Sequence, residues 1–482
     1  MNFSDILLNA NPDQIAYVFC EKNYSINDIQ KLSWAKANAL FEKNIKPRQR
    51  VVLLADDSID WISTFWALSI IGCCIIVLNH AIDHDKIKHI CSKHNIDTVI
   101  TDQPAEFDYD VIGISTLKTS NIYQIVPYNY GHQEPFFCSS TSGTNGTLKL
   151  TVHTNRSLIS WGDIITDFYK RISLDKNNTM ICPAKMSFAI GFMNNIIGPM
   201  FAGTRSVIGL APIDLKKIDQ LCEKFSVSTV MVTPYFLEFL LNTGVDKFPD
   251  TVNNVITGGE PLSDFLAQRF FEKFNKKLIN TYGLSESCIN ICESSHHTSK
   301  SIGRPLNTVD VKIVNDQNII CDINEIGTLF IKTPGQSIGY LDDPKSDSEV
   351  MIDGWINTRD LVSLSDTGDL FFHGRLNSCV KHKGQWVSLL EIEHKILEIP
   401  GVKNCVVLQD STSSSEIVAL IVKDTYYHVD ISGVQEFLLK HFKKSYLSVN
   451  SIKFIKEIPK TVNTKQIRNY SVIKDLIVSD HM

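Results

Sequence analysis

The sequence lacks a strong charge of either sign. Its 47 Lys and Arg stand against 53 Asp and Glu, a formal charge of −6 over 482 residues. No global field therefore favours a nucleic-acid backbone, and nucleic-acid binding is not expected. Low-complexity tracts and internal repeats are absent too. With 43% hydrophobic and 21% charged residues, the composition is that of an ordinary globular chain rather than a disordered or fibrous one. No transmembrane segment is expected: the apolar run at 61–78 comes nearest, but Ser63, Thr64, Ser69 and Gly72 break it, and its second half is β-branched. It reads instead as a helix begun near Ser58 and stopped at Gly72, followed by a buried strand over 73–78. No secretory pattern opens the sequence, and its 12 cysteines are scattered, with Cys73 and Cys74 adjacent. They read as reduced thiols, and the expected compartment is the cytoplasm.

At roughly 100–200 residues per domain, the length points to about three structural units. Helical spacing at 26–41 and 85–94 alternates with strands predicted at 51–55, 73–78 and 98–101. The alternation resumes with strands at 204–210, 229–233 and 254–257. Strands separated by helices predict right-handed crossovers and parallel sheets covered on both faces, an α/β fold. After Gly303 the texture changes to short period-two strands at 309–314, 327–331 and 361–372, with a hairpin turn at Asp366-Thr367-Gly368-Asp369. Beyond Gly374 a smaller unit begins, with a helix at 389–397 stopped by Pro400-Gly401 and strands at 402–409 and 416–422. The expected organisation is a large N-terminal domain (1–376) of parallel αβ layers plus a β-rich subdomain, and a small α+β C-terminal domain (377–482).

The stretch Ser139-Ser140-Thr141-Ser142-Gly143-Thr144-Asn145-Gly146-Thr147-Leu148-Lys149 packs hydroxyls and glycines together and closes with one lysine. Glycine lets backbone N–H groups approach phosphate oxygens, hydroxyls donate to them and the lysine offsets their charge. The spacing differs from the common P-loop, and Leu150 stands where that motif carries a metal-binding hydroxyl. Further along come Tyr282-Gly283-Leu284-Ser285-Glu286, Gly354-Trp355-Ile356-Asn357-Thr358-Arg359-Asp360, Gly374-Arg375, Lys381-His382-Lys383-Gly384-Gln385-Trp386-Val387 and Pro459-Lys460-Thr461-Val462-Asn463-Thr464-Lys465. In this order and spacing the series resembles the adenylate-forming superfamily of acyl-CoA synthetases, peptide-synthetase adenylation domains and firefly-type luciferases, over nearly the whole chain. The wording is nearest to benzoate-type aryl-CoA ligases.

The resemblance implies ATP, Mg²⁺ and coenzyme A, or the phosphopantetheine of a separate carrier protein, as cofactors and co-substrates. Thr141, Ser142, Gly143, Thr144 and Lys149 would cradle the phosphates. Tyr282, flanked by Thr281, Gly283 and Ser285, would stack on adenine beside Gly258-Gly259-Glu260. Asp360 would accept the ribose hydroxyls, with Arg375 donating and Phe372 nearby. Glu286 would be the metal ligand, a hard oxygen anion beside a triphosphate. Lys465 would bridge carboxylate and α-phosphate, with Thr144 and Glu286 completing the catalytic set. The C-terminal domain would be mobile, swinging near Asn377 so that Lys383 and Gly384 line the pantetheine tunnel. The acyl pocket would draw on Lys185, Phe188, Ala189, Phe192, Gly259, Tyr282 and Leu284.

Several positions depart from the family pattern: Leu148, Asn145, Arg359, Asn377 and Thr464. Arg359 matters most, because the family's glycine there would serve a positive φ that a Cβ resists. Ala189 stands where amino-acid-activating domains place an aspartate for the α-ammonium, which points away from α-amino acids, while the wording of 184–188 and 384–388, which resembles benzoate-type ligases, points toward an aromatic acid. Two metal-like spacings, Cys288/Cys292/His296/His297 and His80/His84/His89/Cys91/His94, read as decoys, since the second spreads its residues around a helix. The expected activity is ATP-dependent carboxylic acid:CoA ligation through an acyl-adenylate, with release of AMP and pyrophosphate. The alternatives are an enzyme loading a carrier-protein thiol, with the carrier a separate chain because no carrier domain follows Lys465, and a catalytically silent nucleotide-binding homologue.

Overall fold

The computed structural model of the protein describes residues 2–458 except 104–108, 120, 143–147, 211–213, 293–299, 383–384, 411–415, 425–428 and 443–450. The chain divides into two compact units. The first comprises 1–312, 330–358 and 368–370; the second comprises 313–329, 359–367 and 371–482.

Local signals place the first unit's buried helix Ile59–Ile71 where the sequence puts it. The Ser58 side chain accepts from the Trp61 N–H, and Gly72 closes the helix at φ +102°. A Cβ at Gly72 would lie 2.3 Å from the Tyr128 ring, so glycine answers both the backbone conformation and the close approach. Trp61, Phe65 and Trp66 on this helix are fully buried, as expected of a helix apolar on every face.

Two sheets form around such helices. The first runs, in spatial order, Gly339–Tyr340, Leu148–Thr154, Pro135–Ser142, Cys74–Val77, Arg50–Leu54, Thr98–Thr101 and Asp110–Gly113. Its last five strands are parallel, while Leu148–Thr154 folds back antiparallel on Pro135–Ser142 and carries Gly339–Tyr340 at the edge. In the second, the parallel strands Leu278–Leu284, Asn254–Gly258, Thr229–Val232, Thr179–Ile181, Arg205–Val207 and Ile15–Phe19 lie side by side. The antiparallel strands Cys288–Cys292 and Ser301–Pro305 extend it beyond Leu278–Leu284. This is the expected α/β architecture, and the parallel strands Cys74–Val77, Thr98–Thr101 and Thr229–Val232 are buried on both faces. No described helix is long and apolar enough to cross a membrane.

In the second unit, strands Val402–Asp410 and Glu416–Lys423 pair antiparallel, and Ile452–Phe454 joins parallel to the latter. Helices Leu389–Leu397 and Ile431–Phe442 cover them through Ile392, Ile396, Val434 and Leu438, packed with Val407, Ala419 and Ile421.

Candidate functional site

The hydroxyl- and glycine-rich stretch connects a β-hairpin. Thr141 pairs with Lys149 and Ser142 with Leu148, so the two ends of the candidate phosphate loop are locked in register while 143–147, with Gly143 and Thr144, lie outside the described residues. Pro135–Ser142 runs parallel to Cys74–Val77 and, beyond it, Arg50–Leu54. The loop therefore emerges at the carboxyl edge of the parallel strands, where open α/β sheets bind ligands.

Lys149 points its Nζ over the Tyr340 ring, 5.3 Å from the centroid. The Tyr340 hydroxyl in turn donates to Glu286 Oε1 at 2.6 Å. A cation, a phenol and a carboxylate from three distant stretches of sequence thus meet at the start of the strand Leu148–Thr154. The backbone around Glu286 is held as well: the Ser337 N–H donates to the Glu286 carbonyl at 2.6 Å, and His153 Nε2 lies 2.9 Å from the Ser285 carbonyl. A carbonyl only accepts, so Nε2 carries the proton. Burial pushes the His153 pKa down to about 4, which keeps the ring neutral, and its buried Nδ1 has no hydrogen-bond partner among the described residues.

Gly258 and Gly259 end a parallel strand next to the adenine motif. A Cβ at Gly258 would lie 2.3 Å from Thr281 Oγ1, its partner across the sheet. Gly259 sits at φ +85°, and a Cβ there would meet nothing nearer than Ile190 and Thr233, each at 3.9 Å. The first glycine serves close packing and the second a left-handed turn over open space, a cradle into which a planar ligand could descend. Glu260 is exposed beside it, and Tyr282 and Gly283 sit at a register shift in the antiparallel pair that follows. Leu284 packs against Tyr340, Val350 and Ile356.

The candidate acyl residues separate. Phe188 stands at the N-cap of the short helix Ala189–Phe192 and is 43% exposed, and Ala189, next in sequence, is half-buried. Phe192 is fully buried and stacks on Phe137 at 4.5 Å within the core of Phe65 and Trp161. Lys185 pairs with Asp56 at 2.5 Å, and both Asp57 carboxylate oxygens accept from the Met186 N–H, at 3.1 and 3.2 Å. Burial raises the Asp57 pKa to about 6.

In the second unit Asp360 is almost fully buried, and Arg375 Nε donates to its Oδ1 at 2.9 Å. Phe372 lies on the same strand as Arg375. Arg359 adopts φ +59°, the left-handed conformation anticipated for a position where the family has glycine. Lys383, Gly384 and Lys465 lie outside the described residues. Tyr340, His153, Asp56 and Asp57 were not singled out from sequence. For Tyr340 the available signal was Gly339-Tyr340 in a turn-rich stretch. Gly339 has φ +134°, and a Cβ there would strike the Asp347 carboxylate at 2.5 Å.

Of the two metal-like spacings, His94 faces Asp342 at 3.0 Å beside the Arg50–Asp342 ion pair, and Cys288 Sγ lies 3.1 Å from Met193 Sδ. His296 and His297 lie outside the described residues. No group of three or more His, Cys, Asp or Glu among the described residues could hold a metal ion. Glu286 suits a different kind of site, in which one carboxylate, substrate phosphates and water complete an octahedral Mg²⁺ shell.

The family model of AMP-binding enzymes matches residues 7–341. The chain is 25% identical over 489 residues to the 2-succinylbenzoate–CoA ligase of Listeria monocytogenes, covering 96% of this chain and 97% of that protein. It is 28% identical to 4-coumarate–CoA ligase-like 4 of Oryza sativa subsp. japonica over 346 residues, which is 70% of this chain but only 61% of the rice protein. Its fold superposes on ATP-bound MatB from Rhodopseudomonas palustris with a TM-score of 0.86 at 19% identity, covering 99% of both chains. The chain belongs to the AMP-binding enzyme family. Within that family it is an enzyme of the acid–thiol ligase type, the type to which its named CoA-ligase relatives belong.

Proposed function

We propose that the protein is an ATP-dependent carboxylic acid:CoA ligase that works through an acyl-adenylate and acts on an aromatic acid. The observation that carries this reading is the convergence of the phosphate-loop hairpin, Lys149 and Glu286 around Tyr340. Joining a carboxylate to the α-phosphate of ATP gathers negative charge and expels pyrophosphate, so positioning and charge neutralisation do most of the work. Lys149 and the loop amides would bind the phosphates, and Glu286 would present its carboxylate to Mg²⁺, which when bound supplies charge neutralisation of the triphosphate. The cradle at Gly258-Gly259 with Tyr282 would take the base, and Asp360 with Arg375 the ribose. Lys465, carried by a mobile domain beginning near Asn377, would bridge the reacting groups, and Lys383-Gly384 would face the pantetheine arm. The aromatic preference is supported by Ala189 where an anionic anchor for α-amino acids would stand, by the half-exposed Phe188, and by relatives named for 4-coumarate and 2-succinylbenzoate.

Pyrophosphate release over a panel of benzoates, cinnamates, fatty acids and α-amino acids, each with and without CoA, tests the reading. A small aryl acid with CoA-dependent thioester formation is the expected best case. Preference for fatty acids or α-amino acids would overturn the aromatic assignment. Adenylation without transfer to CoA would favour a carrier-protein thiol as acceptor, and no pyrophosphate release from any acid would mark a silent nucleotide-binding homologue.

A further inference from the structure

We propose that Tyr340 is a positioning residue: it holds the Glu286 carboxylate by one oxygen, so that the other is presented to the metal, and it couples that carboxylate to the phosphate-loop lysine. The proposal deepens the functional reading above and rests on it for the identity of the metal–nucleotide ligand.

The geometry is specific. At 2.6 Å the phenol–carboxylate contact is a charge-assisted hydrogen bond, short and strong for its class. It fixes Oε1, and no hydrogen bond reaches Oε2 from the described residues. A carboxylate tethered in this way offers a single oxygen, which suits the octahedral shell of Mg²⁺ better than a bidentate grip. The tyrosine is itself fixed. Its backbone N–H donates to Asp347 Oδ1 at 2.6 Å, its strand pairs with Thr151, and its side chain is nearly buried. Its ring face lies under Lys149 Nζ, so one side chain touches both the cation assigned to the phosphates and the anion assigned to the metal. With the Ser285 and Glu286 carbonyls already bound by His153 and Ser337, the main chain there has little freedom, and the remaining rotation of the carboxylate is what the Tyr340 hydroxyl removes. Outer-shell donors of this kind orient a ligand without touching the metal.

The test is ATP binding by calorimetry to the purified full-length chain, across a Mg²⁺ series and in EDTA, with the acid KM measured in parallel. Tyr340→Phe removes the hydroxyl and keeps the ring over which Lys149 sits. The Mg²⁺ concentration for half-maximal strengthening of ATP binding should rise by about 10-fold, the lower end of the usual loss for an outer-shell partner. ATP affinity in EDTA and the acid KM should stay within about twofold, because neither depends on the metal ligand. Glu286→Gln keeps an oxygen that can accept from Tyr340, so it should leave the melting temperature in place and abolish the Mg²⁺ response. Adding Tyr340→Phe to it should change that response no further. An unchanged Mg²⁺ midpoint in Tyr340→Phe would overturn the proposal, as would equal losses with and without Mg²⁺. If Tyr340→Phe does not fold, Glu286→Gln decides: a Mg²⁺ response retained there, or a fall in melting temperature with no change in that response, makes Tyr340–Glu286 a structural contact only. The functional reading fails separately: wild-type protein that binds MgATP and shows the Tyr340→Phe shift, yet releases no pyrophosphate with any acid, would keep the positioning role and lose the ligase.

Discussion

Segments 183–188 and 285–287 follow parallel strands of the same sheet, Thr179–Ile181 and Leu278–Leu284, and leave them at the same edge. They are held by different sets of contacts, and only the first includes an ion pair. The first rests on charge: Lys185 pairs with Asp56, and the Asp57 carboxylate receives the Met186 N–H. The second rests on neutral donors, with His153 on the Ser285 carbonyl, Ser337 on the Glu286 carbonyl and Tyr340 on the Glu286 side chain. Partly exposed ion pairs are weak and screened, whereas hydrogen bonds from neutral donors, here including a charge-assisted one to Glu286, depend less on salt. On the proposed reading, the acid-binding segment is adjustable and the metal-binding segment is rigid, a division suited to a site whose nucleotide is constant and whose acid varies between relatives.

Two lysines give the strongest contrast. Lys149→Ala should slow adenylate formation by about 10²–10³, the scale of losing one transition-state electrostatic contact. Lys185→Ala, which breaks a partly exposed ion pair worth at most about 1 kcal/mol, should change acid KM by less than about tenfold and leave ATP untouched. Comparable loss in both variants, measured as pyrophosphate release at saturating and limiting acid, would erase the distinction between the segments.

The two segments should also answer pH with opposite signs. His153 moves from an ordinary 6.5 to about 4 on folding, so the unfolded chain binds a proton that the folded chain refuses. Its contribution to stability is full above about 6.5 and is lost as pH falls toward about 4, on the order of 3 kcal/mol in all. Asp57 moves from 3.8 to about 6, so its contribution is full below about 4 and is lost as pH rises through about 6, by at most about 3 kcal/mol. His153→Gln, which keeps an N–H donor and cannot titrate, should flatten the acid limb of stability measured by urea unfolding. Asp57→Asn, which keeps an acceptor for Met186, should stabilise the chain near pH 8 and leave it unchanged near pH 4. The same slope in both variants would show that the two groups do not titrate as their surroundings dictate.

Smaller effects sharpen the picture. Ala189→Asp should raise acid KM by about tenfold or more through a charge left without a partner when an aryl acid binds, with ATP KM unchanged. A parallel rise in both constants would point to damage of the fold. Arg359→Gly should stabilise the chain by about 1 kcal/mol by releasing the left-handed backbone, read as a rise in the urea midpoint. A fall instead would mean that the contacts of the Arg359 side chain outweigh its backbone cost.

What was legible in the sequence follows from how local each signal is. The helix Ile59–Ile71 carries its own start at Ser58 and stop at Gly72, and Leu389–Leu397 its own cap at Ser388, so both were predicted within a residue or two of where they lie. The candidate phosphate-loop residues were proposed from their chemistry, and the left-handed backbone at Arg359 was legible from its place in the motif. The pairing of Thr141 with Lys149 was legible too, since Asn145-Gly146 between them is a common hairpin dipeptide, but reading the stretch for phosphate chemistry left that signal unused.

The remaining decisions belong to tertiary structure. By itself the sequence determined the α/β class and the buried helices and nominated the charged and hydroxyl groups of the candidate site, because periodicity, caps and residue chemistry are properties of neighbours in the chain. Only the folded chain decided that Lys185 turns to Asp56, that Phe192 joins the aromatic core while Phe188 faces outward, and that Glu286 meets a tyrosine 54 positions away. Such contacts depend on which strands lie side by side and which edge they share. A lone tyrosine or aspartate carries no trace of that in its own neighbourhood, since its partner is chosen by the register of two sheets.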